Sequence, residues 1–276
     1  MIYIIIIIFI VLYALLASDA LIYGRKKWKI FLAFFLFCGI ASADTFDVAI
    51  IGDDYISQTN FQSDAEKVAA KIISFDPISQ YAVNFILAWN QDDLYCAPSA
   101  SMSRLVTCSE SVVRNKLTAL GIVADKTIVI WNNPQYGGSG GSLTVVSNGQ
   151  QMEGVAIHEF AHSAFGLVDE YVLYGTNGTE RDAPLANCWQ MTKAGWFRGC
   201  NYPNYCRQTD CSIMRDLGCN YFNQVSKDWL IKRLNIYTGY PNVTLTAFPL
   251  EGRAPLTVVF NVEVTGNAPF SYTWNF

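Results

Sequence analysis

The sequence predicts an α+β fold, in which a mixed, twisted sheet carries helices on its faces and the first part of a β-sandwich follows. Between residues 46 and 132, apolar runs typical of strands alternate with segments of helical spacing. This alternation is typical of a sheet covered by helices. After Pro241 the pattern changes to short alternating strands, and the chain stops about 36 residues later. Because a sandwich needs roughly 100 residues, we expect this second domain to be truncated.

The elements of the first domain follow from local patterns. A strand is predicted where a β-rich apolar run is bounded by turn residues, and a helix where apolar residues recur every three or four positions. The predicted strands are Phe46–Tyr55, Tyr81–Trp89 and Lys126–Asn132, of which the last two are expected to be buried, and the predicted helices are 61–74, Ser109–Leu120 and 223–236.

A glycine-rich stretch, "NNPQYGGSGGS" (Asn132–Ser142), is predicted as a flexible loop. A phosphate-binding loop is excluded because no G-K-[ST] follows. The next run, "SLTVVS" (residues 142–147), is a short alternating strand. We expect this strand at a sheet edge, where it could pair with an extended peptide.

The next helix is predicted from Gly149 to Phe165. Asn148 is a suitable N-cap, Gln151 stands at the N3 position of a capping box, and Gly166 is a natural stop at the C-terminus. His158 and His162 lie one turn apart on one face of this helix.

The first 43 residues are predicted to be a targeting segment. Two apolar runs flank a basic patch, "GRKKWK", and the second run ends in the small-residue site Ala41-Ser42-Ala43. Two interpretations stay open: a signal peptide with an upstream extension, or a hairpin anchor that contacts the membrane. Both place residues 44 onward outside the cytoplasm, in an extracellular or cell-surface location.

Charge and cysteine content agree with export and exclude a nucleic-acid partner. Without residues 1–43 the chain has 15 basic and 22 acidic side chains, a net charge of −7, whereas nucleic acids require a basic face. Seven cysteines remain, five of them between Cys188 and Cys219. In an exported chain this pattern predicts disulfides. A structural zinc site is disfavoured because no C-x-x-C pair occurs. Seven is odd, so one thiol is expected to be unpaired, and the connectivity stays open.

The stretch "HEFAHSAFGLVDEY" (His158–Tyr171) predicts a catalytic zinc site. Two imidazoles one helical turn apart can bind one tetrahedral Zn²⁺, and Glu159 faces the same side. Such a glutamate acts as general base toward a zinc-activated water and passes the proton to the leaving amine. The alternative is a pair of histidines without a metal. The chain has only two histidines, so a third ligand must come from another residue type, and Asp169 and Glu170 follow closely.

This stretch resembles the H-E-x-G-H-x-x-x-G-L-x-D-E-Y signature of the IgA-peptidase-type zinc metallopeptidases, a metzincin-like zincin family. "VAIIGDDY", "NNPQYGGSGG" and "CSIMR" (Cys211–Arg215) resemble further stretches of that family in the same order. Ala161 and Asp54 stand where the family has glycine. The resemblance implies a zincin domain over residues 44–240, with a mixed twisted sheet, an active-site helix and a Met-turn subdomain.

The resemblance also implies roles for individual residues. His158 and His162 match the zinc ligands, Glu159 the catalytic base, and Met214 the Met-turn, which forms an apolar floor under the metal. In the metzincin spacing the third ligand follows a glycine by three residues. Gly166 lies one residue later than that spacing requires, so one residue is inserted before the turn. Counting from Gly166 gives Asp169 as third ligand. Glu170 is the alternative, and the acid that does not bind is expected to support a ligating imidazole.

The tail, residues 241–276, resembles the start of a polycystic-kidney-disease-type (PKD) domain, a truncated Ig-like β-sandwich, through "G-x-A-P-L-T-V-x-F" and "Y-x-W-x-F". The whole sequence thus predicts an exported zinc metalloendopeptidase that acts on protein or peptide substrates. Its cleft is expected below the "SLTVVS" strand. The alternatives are a catalytically inert zincin-fold module for binding or adhesion at the cell surface, and hydrolysis of a non-peptide amide. Tyr171 and Arg215 lie near the site and are either catalytic or structural.

Overall fold

A computed structural model describes residues 44–173, 185–190, 193–239, 242–248 and 259–265. The chain divides into two compact units, Met1–Ser42 and Ala43–Phe276. The predicted targeting segment lies outside the described residues. Among the helices that are described, none is both long enough and apolar enough to cross a membrane.

The second unit is built on a seven-stranded mixed sheet, as predicted. Its strand order is β2-β1-β5-β7-β6-β4-β3. The pairs β1–β2, β1–β5, β5–β7 and β4–β6 are parallel, whereas β6–β7 and β3–β4 are antiparallel. The strands are β1 (Phe46–Asp53), β2 (Val83–Ala88), β3 (Ala97–Ser99), β4 (Met102–Thr107), β5 (Lys126–Trp131), β6 (Gly138–Gly140) and β7 (Thr144–Ser147).

Helices cover both faces of this sheet, because successive side chains of a strand point to opposite sides. In β1, Val48 and Ile50 belong to one apolar core and Ala49 and Ile51 to another. Helices α1, α3 and α4 contribute to the first core, and α2 contributes to the second. The helices are α1 (Gln58–Ile73), α2 (Glu110–Ala119), α3 (Met152–Phe160) and α4 (Gln224–Thr238).

The predicted edge position of the "SLTVVS" strand is wrong. Strand β7 lies inside the sheet, between β5 and β6. The glycine-rich stretch predicted as a loop supplies β6, which pairs with β7 from Gly138↔Val146 to Gly140↔Thr144. The edges of the sheet are β2 and β3. Only Ala88 of β2 is buried, although the sequence predicts a buried strand there.

The predicted capping of the active-site helix is also wrong at its start. The α-helix begins at Met152, and Gln151 is its N-cap without a side-chain hydrogen bond. The Asn148 amide donates to Asn132 Oδ1 at 2.6 Å and does not cap the helix. The predicted stop is correct, since Gly166 takes the left-handed conformation at φ 71°. Asp54 also takes this conformation, at φ 61°, where the resembling family has glycine and where aspartate is tolerated.

Disulfides form as predicted, and the structure provides their connectivity. The pairs are Cys96–Cys108, Cys188–Cys200 and Cys211–Cys219, and Cys206 is the buried unpaired thiol. Cys200 and Cys206 lie in a two-stranded sheet of β8 (Phe197–Cys200) and β9 (Tyr202–Arg207).

The described part of the tail is one antiparallel pair, β10 (Asn242–Phe248) with β11 (Val259–Thr265). The remaining residues of the predicted PKD-type domain lie outside the described ranges. Its boundary near residue 241 and its sandwich architecture therefore stay predictions.

Candidate metal centre and active-site cleft

A large cleft of about 1100 Å³ lies along the active-site helix. Part of its lining comes from β4 and the segment that ends in β6, including Arg104, Tyr136 and Gly140. Another part comes from the chain that follows the helix, including Leu167 and Tyr171. His158, Glu159 and His162 also line this cleft, so the predicted catalytic residues meet at a concave surface.

Both imidazoles are oriented by backbone carbonyl groups. His158 Nδ1 lies 2.8 Å from the Ile213 carbonyl oxygen, and His162 Nδ1 lies 2.6 Å from that of Leu167. A carbonyl oxygen can only accept, so each Nδ1 carries the proton that it donates. The lone pair of each neutral ring is therefore on Nε2. The two Nε2 atoms face each other at 3.2 Å.

Asp169 completes this arrangement. Its Oδ1 lies 3.0 Å from His158 Nε2 and 3.3 Å from His162 Nε2. The side chain is almost fully buried, and burial alone would raise the pKa of Asp169. When an imidazole is protonated, its charge and N–H outweigh that effect and hold the pKa of Asp169 well below its usual range, so the carboxylate is ionised at neutral pH.

The three atoms fit a zinc ion. They form a triangle with edges of 3.0, 3.2 and 3.3 Å. In a tetrahedral site with bonds of about 2.0–2.1 Å, two ligand atoms lie about 3.3 Å apart. Three acceptor atoms this close repel one another unless a cation lies among them. The donor set and its spacing are thus those of a His₂–carboxylate zinc site with a fourth position left for water.

Glu170 points away from the imidazoles and anchors the chain around Asp169. Its Oε1 accepts hydrogen bonds from Asn187, Asn223 and Ser226 at 3.1, 2.8 and 3.2 Å. The Glu170 side chain is fully buried, and burial raises its pKa. The acid that does not bind the metal was expected to support a ligating imidazole. Backbone carbonyl groups support the imidazoles instead.

Asn187 holds the other side of the same segment. It is fully buried, and its amide both donates to the Val168 carbonyl and accepts from the Val168 N–H, each at 2.9 Å. Asp169 therefore lies between two residues whose positions are fixed by hydrogen bonds.

A π turn accounts for the residue inserted before Gly166. The α-helix gives way at Ala161 to a π turn over Ala161–Phe165. A π turn holds one more residue than an α turn, so the extra residue is absorbed within the helix. Carbonyl groups of this turn accept hydrogen bonds from helix α4: Trp229 Nε1 donates to Phe165 O at 2.7 Å and Tyr237 Oη to Ala164 O at 2.9 Å.

Glu159 faces the cleft beside the two histidines. His158, Glu159 and His162 can each offer a ligand atom within 4.8 Å of one another. Within the described residues, the Glu159 carboxylate has no hydrogen-bond donor, which leaves it available for a water. Burial raises the pKa of Glu159, and protonation of the two histidines would partly oppose this shift.

Strand β6 lies directly against the catalytic residues, and its glycines allow this approach. A Cβ on Gly140 would lie 2.4 Å from His162 Cβ and 2.5 Å from the Glu159 carbonyl oxygen. A Cβ on Gly138 would lie 2.6 Å from Val155 Cγ1. The sequence does not reveal this contact, because a glycine-rich stretch more often forms a loop.

The predicted Met-turn residue, Met214, is fully buried in the main core. The turn Ile213–Arg215 packs beside His158 through the Ile213 carbonyl, and the Met214 carbonyl accepts the Glu170 N–H at 2.8 Å. The Arg215 guanidinium is bound to Asp210, whereas Tyr171 lines the cleft. Burial and the Asp169 charge raise the pKa of Tyr171.

Parts of this chain are similar to a known protein family and to a solved structure. The sequence model of a family described as IgA Peptidase M64 matches residues 94–184, which include the active-site helix, the π turn and Asp169. No curated protein sequence matches the chain. Archaemetzincin from Methanopyrus kandleri has a similar solved structure, with 12% identity, coverage of 69% of this chain and 96% of that chain, and a TM-score of 0.38. The family match bears out the resemblance predicted from the signature, and it points to a zinc metallopeptidase.

Proposed function

We propose that this protein is an exported zinc metalloendopeptidase that cleaves protein or peptide chains, with His158, His162 and Asp169 as the zinc ligands and Glu159 as the general base. The observation that carries the proposal is the triangle of two Nε2 atoms and one carboxylate oxygen, with Glu159 beside it, at the surface of a large cleft. Met214 is proposed as the apolar floor of the site.

When bound, Zn²⁺ supplies a Lewis acid that polarises the scissile carbonyl and lowers the pKa of water at the site. Residues of the chain carry out the proton transfers. The Glu159 carboxylate accepts a proton from the attacking water and later delivers it to the leaving amine.

The dimensions of the cleft are compatible with a polymeric substrate. At about 1100 Å³, it is at least as large as the pockets of about 300–1,000 Å³ that bind small molecules. Strand β7 is paired on both sides, so we no longer expect it to hold substrate as an edge strand. We propose that the peptide lies against β4 and β6.

Export is supported by the three disulfides of the structure. Disulfides persist in oxidising compartments and are rare in the cytosol. A test is the N-terminal sequence and location of the protein expressed in its own host. Retention of the full chain in the cytoplasm would contradict this part of the proposal.

The decisive variant for the enzymatic function is Glu159→Gln. It keeps the size of the side chain and removes the base, so we expect about one zinc per chain, as in the wild type, and loss of nearly all proteolysis of a denatured protein such as casein. Glu153→Gln is the matched control, since Glu153 is an exposed glutamate in the first turn of the same helix. Unchanged cleavage by Glu159→Gln would refute the mechanism. A wild-type protein that binds zinc and cleaves no unfolded protein would instead be an inert binding module.

A further inference from the structure

Strand β4 presents one charged side chain to the active-site cleft. Arg104 lines the cleft together with Glu159, and its neighbours on the same wall are Met102, Leu105 and Tyr136. These neighbours are 42%, 38% and 49% exposed, so the wall is an accessible apolar surface. Arg104 is the only charged residue that β4 contributes to the described lining of the cleft.

The backbone beneath Arg104 is fixed by the sheet. Its carbonyl lies so close to Gly137 that a Cβ there would be 2.6 Å from the Arg104 oxygen. The neighbouring Ser103 carbonyl accepts a hydrogen bond from Gln135 Nε2 at 2.8 Å. The guanidinium group therefore extends from a rigid strand, which suits a side chain that selects among substrates.

The Arg104 side chain is exposed and makes no ion pair within the described residues. Two other arginines differ: Arg114 is bound to Glu110, and Arg215 to Asp210. Arg104 nevertheless lies near the reaction centre, because the next residue, Leu105, pairs with Gly138, and a Cβ on Gly138 would lie 3.2 Å from Glu159 Cγ. The cleft thus holds a cation beside the catalytic residues, and none of the described residues supplies its counter-charge.

We propose that Arg104 binds a carboxylate of the substrate close to the scissile bond, so that the enzyme prefers peptides that carry an acidic group there. This inference rests on the proposed peptidase function. The guanidinium fork matches a carboxylate with two parallel hydrogen bonds, and a bound peptide would shield that pair from water. The carboxylate comes either from an Asp or Glu side chain or from the end of the substrate chain.

The first experiment maps the preference. Full-length protein, loaded with zinc, digests a mixture of denatured peptides, and mass spectrometry identifies the cleaved bonds. We expect Asp and Glu to be enriched at one position within a few residues of the cut. The best cleaved sequence is then synthesised with Glu, Gln or Lys at that position, each with a free and with an amidated C-terminus.

The measured quantity is the ratio of kcat/KM for the Glu peptide to that for the Gln peptide. Charge-assisted hydrogen bonds of this kind correspond to a ratio of about tenfold. In Arg104→Gln the ratio is expected to fall toward one, and in Arg104→Glu the Lys peptide should become the preferred substrate. Arg114→Gln, which removes an exposed arginine outside the cleft lining, should keep the wild-type ratio.

These outcomes separate substrate binding from other roles of Arg104. A residue that only adjusts the pKa of Glu159 or supports the fold would change the rates of all three peptides together and leave their ratio unchanged, which would overturn the inference. A preference that disappears on amidation assigns the bound group to the terminal carboxylate, and one that survives assigns it to a side chain. Cleavage without any acidic preference refutes the role of Arg104 alone, whereas the absence of zinc-dependent cleavage refutes the peptidase function as well.

Discussion

The assignment of the third zinc ligand can be tested with two neighbouring variants that make the same chemical change. Asp169→Asn and Glu170→Gln each replace a buried carboxylate by its amide. Asp169 Oδ1 lies 3.0 and 3.3 Å from the two imidazole Nε2 atoms. Glu170 Oε1 instead accepts hydrogen bonds from three polar side chains on the other side of the segment. If Asp169 is the ligand, only the first variant should lose zinc.

The expected magnitudes follow from these contacts. Loss of a group that merely supports a metal ligand weakens metal binding by about 10–100-fold. Asp169 is proposed as one of three direct ligands, so Asp169→Asn should raise the zinc dissociation constant by more than about 100-fold. In Glu170→Gln the amide oxygen can still accept from the same three donors, and we expect a change below about threefold, since no donor loses its partner.

The assay is competition for zinc with a chelating dye, with the zinc content after dialysis as a second measurement. The apo and zinc-loaded forms are also unfolded in urea, because binding to the folded state alone stabilises it in proportion to affinity. Asp169→Asn should lose most of the zinc-dependent stabilisation. Equal loss of zinc in both variants, or a loss confined to Glu170→Gln, would refute the assignment of Asp169.

Two further variants test how the site is held in place. Gly140→Ala should lower kcat/KM by more than about tenfold, because a methyl group 2.5 Å from the Glu159 carbonyl oxygen forces strand and helix apart. The adjacent Gly141→Ala, whose Cβ would meet nothing within 4 Å, should keep activity. Equal losses of activity in the two variants would disprove this explanation. Asn187→Ala should weaken zinc binding by about 10–100-fold, because it frees the segment beside Asp169. It should also lower the free energy of unfolding by about 2 kcal/mol, because the Val168 N–H and carbonyl lose their partner. Dye competition and urea unfolding measure both effects, and unchanged zinc affinity would show that the segment is held by other contacts.

The elements of the first domain could be predicted because their signals are local. Each predicted strand and helix before residue 132 is found, with ends that differ by up to three residues from the prediction. The hydrophobic period of two or 3.6 residues carries this information within a single segment. The motif at His158 is equally local, since one helical turn separates its two histidines.

The errors arise where a distant segment determines the structure. Asn148 has the right chemistry for an N-cap, but Asn132, 16 residues earlier, provides a partner for its amide. A π turn likewise has no local signal beyond a spacing that is one residue too long. Helix α4, more than 60 residues later, donates to two carbonyl groups of that turn. Residue propensities summed over a short stretch of sequence do not account for such distant hydrogen-bond partners.

The failed edge-strand prediction changes how substrate recognition is expected to work. A free edge strand would bind any extended peptide through backbone hydrogen bonds and would distinguish side chains weakly. Here β7 is paired on both sides, and β6 is paired with β7 along its length and with β4 at Leu105↔Gly138. The backbone groups of β7 are therefore already used by the sheet. Discrimination must then depend more on side chains that line the cleft. Arg104, which has no ion pair among the described residues and lies on an apolar wall, is such a side chain. The sheet topology, and not the motif, therefore leads to Arg104 as the residue expected to select the substrate.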